Sequence, residues 1–386
     1  MDDRSAGARG IALTERQRIA WLRLIRSDNV GPATFRDLIN HFGSAETALE
    51  MLPELSRRGG ASRSIRVAGR AEAERELEIA ERHGAAFVGI GEPGYPPHLR
   101  LIVGAPPLLA VKGNRAAATM PAVGIVGARN ASIAGMKFTG QIAREIGRAG
   151  YCIVSGLARG IDTAAHRASL DTGTVAAMAG GLDKPYPPEN IGLLNELTAG
   201  QGLAVSEMPF GWEPRARDFP RRNRLIAGMS LGLVVVEAAT RSGSLITARN
   251  AADFGRLVFA VPGSPLDPRC EGTNGLLKDG ATIVTTADDV LEGLRPLCEP
   301  DLFSVRGTGA GEPAEETPPA LRLPPSESER ERIAEALSQV PAEIDEIIRH
   351  TGLHPAQVFM VLLELDLAGR LERHSGGGVS LLVGRM

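Results

Sequence analysis

Nine short apolar runs punctuate the chain at 86–88, 108–111, 123–126, 152–154, 175–178, 203–205, 233–236, 257–261 and 282–284. Helical stretches, among them 138–149, 164–171 and 245–254, lie between them. Runs that are brief and apolar throughout suit strands buried on both faces. Strands that alternate with helices are joined by right-handed crossovers and so build a mostly parallel sheet. This alternation narrows the fold class to α/β before any single residue is weighed.

The chain has 386 residues, too many for one ordinary core, and it divides into four regions. Residues 10–80 are expected to form a small helical domain of helix-hairpin-helix or SAM-like type. Their apolar residues fall at helical spacing (Ile19, Leu22, Leu24, Ile25; Leu38, Ile39, Phe42). Within this region Asn29-Val30-Gly31-Pro32 ends one helix and opens the next. Such a hairpin can offer amides to a DNA phosphate, but Asp28 is close and no lysine adjoins it, so a plain helical turn is preferred. Residues 81–298 carry the sheet. Residues 299–326, including Gly307-Thr308-Gly309-Ala310-Gly311-Glu312-Pro313, hold too little apolar surface to offset chain entropy and are expected to be a flexible linker. Residues 327–386 offer helices at 329–337, 343–350 and 355–367, then a hairpin of 370–373 with 379–382, turning through Ser375-Gly376-Gly377-Gly378. That order is a winged helix.

No apolar run reaches membrane-spanning length, and Met1-Asp2-Asp3-Arg4 shows no basic-then-apolar leader. Cys152, Cys270 and Cys298 are too far apart for a paired metal site and suit a reducing cytoplasm. The net charge of -3 means that any nucleic-acid site must come from local clustering of arginine.

Ligands of an open parallel sheet gather at the carboxyl ends of its strands. Those ends here carry Gly127-Ala128-Arg129-Asn130-Ala131-Ser132, Ser155-Gly156-Leu157-Ala158-Arg159-Gly160-Ile161-Asp162, Ala179-Gly180-Gly181-Leu182-Asp183, and Glu237 followed by Ser242-Gly243-Ser244-Leu245-Ile246-Thr247. Glycine permits close backbone approach, and a helix that starts after such a loop aims unpaired amides at an anion. Neither Gly-x-Gly-x-x-Gly nor a Walker A sequence is present, which disfavours NAD and ATP. Phe219-Pro220-Arg221-Arg222-Asn223-Arg224 is the densest basic element, and arginine suits phosphate because its planar donors pair two oxygens. Charges so close require offsetting, so at least one arginine is expected to pair with an acid such as Glu207 or Glu237 and at least one to face ligand. His166 follows Asp162 by one helical turn, but no nucleophile motif accompanies them, and an orienting contact is expected. Aromatic residues make up only 4% of the chain; Tyr186, Phe210, Trp212 and Phe219 are the stacking candidates near these loops.

Taken in order, a set of these segments resembles the motifs of the DNA-processing protein A (DprA/Smf) family. They are Val126-Gly127-Ala128-Arg129, Ser155–Asp162 with His166, Gly181-Leu182-Asp183 with Tyr186-Pro187 and Asn190, Ser206-Glu207, Phe219–Arg224, Val236-Glu237-Ala238, Ser242–Thr247 and Val261-Pro262-Gly263. The likeness covers about residues 123 to 284, and the flanking modules match the family's longer architecture. It implies an extended Rossmann-like fold and no enzymatic turnover; no cofactor and no metal are expected. The implied ligand is single-stranded DNA, in natural transformation and recombination, with strands protected and passed to the recombinase RecA. By carry-over Arg129 is the chief phosphate contact, with Gly127 and Asn130 beside it. Ser155, Gly156, Leu157, Ala158, Arg159 and Gly160 would cradle the backbone. Arg221, Arg222, Asn223 and Arg224 would flank it, with Ser242, Gly243, Ser244 and Thr247. The family's homodimer contact maps to about 272–283, with Asn274, Leu276, Leu277 and Ile283 as candidates.

Two positions depart from the pattern. Ala128 stands where many relatives have Ser or Thr, and Pro188 stands where many have a basic residue; Lys184 is the nearby substitute. The third C-terminal helix carries Glu364 and Asp366 but no Lys or Arg, so a protein-contact or weakly DNA-contacting module is expected there. The alternative from another class is a Rossmann-like nucleotide or phosphosugar hydrolase using Glu237 or Asp162 as base, although no Pro-Gly-Gly-x-Gly-Thr-x-x-Glu signature occurs. A further alternative is a scaffold in which the winged helix holds a partner.

Overall fold

The computed structural model describes residues 12–298, 325–374 and 377–382. The expected linker lies outside the described residues except for Pro325 and Ser326, as do Ser375 and Gly376 of the expected C-terminal turn. The first four helices are α1 (Glu15–Arg26), α2 (Pro32–Phe42), α3 (Ala45–Arg58) and α4 (Arg70–Arg82). Then come β1 (Ala85–Gly89), β2 (Leu108–Gly113), β3 (Ala122–Gly127), α5 (Ile133–Arg148), β4 (Cys152–Ser155), α6 (Ile161–Ala168), β5 (Thr174–Ala177), α7 (Ile191–Ala199) and β6 (Leu203–Ser206). The chain continues through α8 (Asp218–Met229), β7 (Gly232–Val236), α9 (Gly243–Asp253), β8 (Leu257–Ala260), α10 (Glu271–Lys278), β9 (Thr282–Ile283) and α11 (Ala287–Cys298). The C-terminal elements are α12 (Glu327–Ala336), β10 (Ala342–Glu343), α13 (Ile344–Thr351), α14 (Pro355–Leu367), β11 (Leu371–Arg373) and β12 (Gly378–Leu381).

The described residues form two compact units, one drawn from within 1–18 and 74–299 and one from within 19–73 and 300–386. In the first, nine strands form one sheet in the order β1-β2-β6-β5-β4-β3-β7-β8-β9. All nine apolar runs of the sequence are strands. From β6 to β9 every pairing is parallel; β1 with β2 and β2 with β6 are antiparallel. Alternate residues face opposite layers, as a pleated strand requires. Val123 and Ile125 of β3, and Val234 and Val236 of β7, join a core with Ile142 and Ile146 of α5, Ala165 of α6 and Leu294 of α11. Ala122, Val126, Leu233 and Val235 join the other, with Leu225 and Ile226 of α8 and Ala248 and Ala251 of α9. The helices therefore cover both faces of the sheet.

Helix α5 starts at Ile133, earlier than the apolar spacing implies, because Ser132 caps it by accepting from the Gly135 amide at 2.9 Å. The order of the strands fixes where a ligand can go. From β3 the chain winds outward through β4, β5 and β6, then returns through α8 to β7 on the other side of β3. The connections leaving β3 and β4 thus part from the one leaving β7, and a crevice opens at their carboxyl ends.

In the second unit, α2 begins with Pro32 after Gly31 and ends at Gly43, which adopts a left-handed φ of 75°. Helices α12, α13 and α14 with the three-stranded sheet β10-β12-β11 form a winged helix. Ser326 and Glu329 make a reciprocal capping box at the start of α12.

Candidate nucleic-acid interface

The floor of the crevice is made by close backbone contact. A Cβ on Gly127 would collide with the Val236 carbonyl and stand 2.7 Å from Ile161, so only glycine lets β3 run on against β7 there. Gly160 has φ 74°, and a Cβ there would meet the backbone carbonyls of Ala128 and Arg129. These two glycines press the β3–α5 loop onto the β4–α6 loop, and the Ile161 amide donates to Ala128 O at 3.2 Å.

The β4–α6 loop was expected to present its amides to phosphate. Several are already used within the chain. Asp162 accepts from the amides of Gly156 at 3.0 Å and Ala158 at 3.3 Å. His166 accepts from Leu157 through Nε2 at 3.3 Å, while Nδ1 faces Thr174 Oγ1 at 2.7 Å and Thr174 Oγ1 donates to Ile153 O at 2.9 Å. Thr174 spends its proton on Ile153, so His166 carries its hydrogen on Nδ1. Burial, aided by the Arg222 charge, pushes His166 down to about 3, which keeps the ring neutral. The Ser155 hydroxyl donates to Ile125 O at 2.6 Å. Leu157, with φ 58°, is buried. Asp162 and His166 do not bond to one another, as the expected helix-orienting contact would require; each separately holds this loop in shape.

Arg222 enters the same network from α8. It donates to Gly156 O and to Ala177 O (2.6 Å) and through Nε to Asn223 Oδ1 at 3.2 Å. Burial pushes its guanidinium down to about 10, with Asp162 opposing and Arg129 adding to the shift. Arg221 and Arg224 turn the other way. Both bond to Glu207, Arg221 at 3.0 Å, and Arg224 also reaches Gly104 O. Of the basic run, therefore, Arg222 and Asn223 line the crevice and Arg221 and Arg224 do not.

The amino end of α5 is also filled from within. Glu237 of the β7–α9 loop, at φ 52°, accepts from the Ser132 amide at 2.8 Å and from the Ser132 hydroxyl. Its carboxylate lies where a Gly135 Cβ would be, 2.7 Å away. A nucleotide phosphate at this helix end would have to displace a carboxylate built into the chain. The start of α9 faces the crevice instead, with Ser242 and Ser244 hydroxyls 2.6 Å apart and Gly243 in open space.

Together these loops enclose a groove of about 460 Å³. Of the candidate strand-contact residues, Gly127, Arg129, Asn130, Ala158, Arg222, Asn223, Ser242, Gly243, Ser244 and Thr247 line it. Arg129 stands with its guanidinium 5.3 Å from the Phe219 ring centroid, and Tyr186 meets Phe219 edge-on at 5.7 Å. Gly156 and Arg159 line a smaller recess beside it, with Tyr186 and Phe219. Ser155, Leu157, Gly160 and Lys184 line neither. Sequence reasoning missed Arg241 and Arg269 as lining residues. Arg269 is held by Asp267 at 2.7 Å, whereas no carboxylate among the described residues pairs with Arg129 or Arg241. The position of Arg241, directly before Ser242 at a strand's carboxyl end, was the signal available for it.

Of the candidate dimer residues, Asn274 is bonded to the Gly263 backbone at 3.0 and 3.2 Å, and Leu276 packs partly into the core. Ile283 is 52% exposed on the edge strand β9. Among the described residues, no helix is long and apolar enough to cross a membrane, and no group of side chains could hold a metal ion.

An extended Rossmann-like sheet with an arginine-lined groove at its switch point, a helical domain and a winged helix define a class of multi-domain α/β proteins. Residues 86–295 match the family model for DNA recombination-mediator protein A, residues 15–79 that for the DprA-like N-terminal HHH domain, and residues 315–377 that for the DprA winged helix domain. The chain belongs to the DNA-processing protein A (DprA/Smf) family. Protein Smf of Synechocystis is 31% identical over 92% of this chain and 96% of its own length. DNA processing protein DprA of Streptococcus pneumoniae is 44% identical over 51% and 70%. The X-ray structure of the Streptococcus pneumoniae protein has a TM-score of 0.59 at 34% identity, covering 73% of this chain and 98% of that one. DNA processing protein A of Helicobacter pylori, a structure described for its single-stranded DNA binding mode, has a TM-score of 0.51 at 27% identity over 55% and 96%.

Proposed function

We propose that this protein binds single-stranded DNA along the groove, as a non-enzymatic DNA-processing factor that protects strands and passes them to the recombinase RecA. The observation that carries the proposal is Arg129 set over Phe219 at a groove whose far wall is the start of α9. A guanidinium and a helix start supply phosphate contacts, and an aromatic ring supplies a sequence-tolerant stacking face. The Helicobacter pylori relative's described binding mode favours the same ligand. Hydrolysis is the weaker alternative on particular grounds. Asp162 and His166 are buried and occupied with loop amides, and Glu237 is occupied with Ser132. All three are already engaged by donors of the chain. Pairing of two copies through residues 272–283, and hand-over to RecA, belong to the same proposal and rest on family membership.

The test is fluorescence anisotropy of a labelled oligo-dT strand and of a duplex, for wild type and Arg129→Ala, over a salt series. Loss of one phosphate contact should lower the salt slope by about 0.7 to one unit and weaken single-strand binding about ten-fold or more. Equal affinity for duplex, or an unchanged slope in the variant, would remove the groove from consideration.

A further inference from the structure

Helix α14 occupies the position of a recognition helix in the winged helix, and its last turns are covered on two sides. On one side Val358, Val361, Leu362 and Leu365 pack with Ile333, Ile347 and Val379 of the winged helix itself. On the other, Leu363 and Leu367 enter the core of the helical domain with Leu38, Ala48, Leu52 and Leu55. Glu364, only 1% exposed, is clamped by Arg330 at 2.8 and 3.0 Å.

Polar contacts reinforce this seam. Asn29, in the hairpin of the helical domain, donates to Leu367 O at 2.9 Å, and Ser56 Oγ donates to the same carbonyl at 3.3 Å. Thr34 donates to Asp366 at 2.9 Å, and Arg370 donates to Gly59 O at 3.0 Å. Arg373 bridges Asp366 and Asp37, each at 2.9 Å. Gly59 is the point of closest approach: a Cβ there would land on the Glu364 carbonyl and stand 2.9 Å from Ala368 Cβ. Thus the Asn29 side chain of the hairpin, the Thr34 hydroxyl beside it and the last turns of the helix that could enter a groove are spent on one another.

We infer that the surface presented by α14 is a docking face for α2 and α3, that the two segments fold as one obligate unit, and that duplex DNA is not its ligand. The winged helix is joined to its own chain through the very helix that would read bases. Leu363, Glu364 and Leu367 are buried, so the last turns of that helix cannot enter a groove, and its first turns, where Phe359 is 49% exposed, carry no Lys or Arg to hold one.

Hydrogen exchange on the full chain tests this. Gly59 has φ −68° and ψ −3°, which valine can adopt, and the atoms nearest a Cβ there belong to Glu364 and Ala368, at the end of α14. Gly59→Val should raise exchange in peptides of α14 about ten-fold or more, while peptides of β3 and β7 keep their protection. Gly69→Val, in the same segment with nothing within 4 Å, should change neither. If Gly59→Val disturbs the sheet as well, Arg370→Met, which removes one bond across the seam, decides by its effect on α14 alone. Unchanged protection of α14 in Gly59→Val with α3 loosened, or in Arg370→Met, would overturn the obligate unit. Slower exchange of α14 or the hairpin on adding a random-sequence duplex to the wild type would overturn the exclusion of DNA.

Discussion

Arg224 stands three residues after Arg221 in α8, and both guanidiniums converge on Glu207, whose side chain is 4% exposed. Arg224 is itself 17% exposed, so Arg224→Met strips a desolvated carboxylate of its better partner and frees the Gly104 carbonyl. Breaking a buried pair by removing one member costs about 3–5 kcal/mol. Arg221 remains beside Glu207 but is 46% exposed, which compensates in part and points to the lower end, about 3 kcal/mol. For a sheet unit of this size that corresponds to a fall in Tm of about 6–12 °C. The assay is urea unfolding followed at Trp212 in a Trp21→Phe background, so that the sheet unit alone is read. A cycle with Glu207→Gln should return a coupling of about 1 kcal/mol or more. Below the unfolding transition, oligo-dT affinity and its salt slope should stay within about two-fold of wild type, because neither Arg224 nor Glu207 lines the groove. A stability loss under about 1 kcal/mol, or a weakened, flatter salt dependence, would refute the assignment of this arginine to the frame of the domain.

Two further outcomes follow from the same network. His166 is held below its ordinary value of 6.5 to about 3, so below pH 6.5 the unfolded state takes up the proton first, and stability drains away as pH falls toward 3. The slope is about 1.4 kcal/mol per pH unit, so wild type should lose about 2 kcal/mol more than His166→Gln between pH 6.5 and 5 in urea titrations; equal losses would contradict it. Gly127→Ala, forced onto the Val236 carbonyl, should cost about 1–3 kcal/mol by thermal unfolding, whereas Gly243→Ala, in open space, should stay within about 0.5 kcal/mol. A reversed order would show that β3 and β7 are not in the described register.

The sheet was legible because a strand buried on both faces has to be apolar throughout, as the central strands are, whereas the exposed edge strand β9 was marked only by its place in the alternation. The antiparallel placement of β1 and β2 was not, since strand direction leaves no mark on a single run. The groove was legible at Arg129, Asn223 and Ser242–Thr247, which follow strand ends or open a helix. The division of labour among Arg221, Arg222 and Arg224 was half visible. Positions 221 and 224 share one helical face while 222 points elsewhere, but a charge run shows no acid in wait until Glu207 is placed. Amides are equally silent: only the folded chain shows that Asp162 and His166 consume those of Gly156, Leu157 and Ala158. The seam of α14 had one trace, a helix apolar nearly all round, which is the mark of burial on two sides.

Asn29 and Leu367, joined by one hydrogen bond, are 338 residues apart in the chain. At a synthesis rate of about 5–20 residues per second, the interval between them is roughly 17–70 s. For that time the helical segment has left the ribosome without the apolar surface that completes it, while the sheet domain made in between can already close. Leu38, Leu52 and Leu55, fully sheltered in the finished molecule, must therefore pass through a period of exposure to solvent, chaperones and protease, which ends only when the winged helix, made after the sheet domain, arrives.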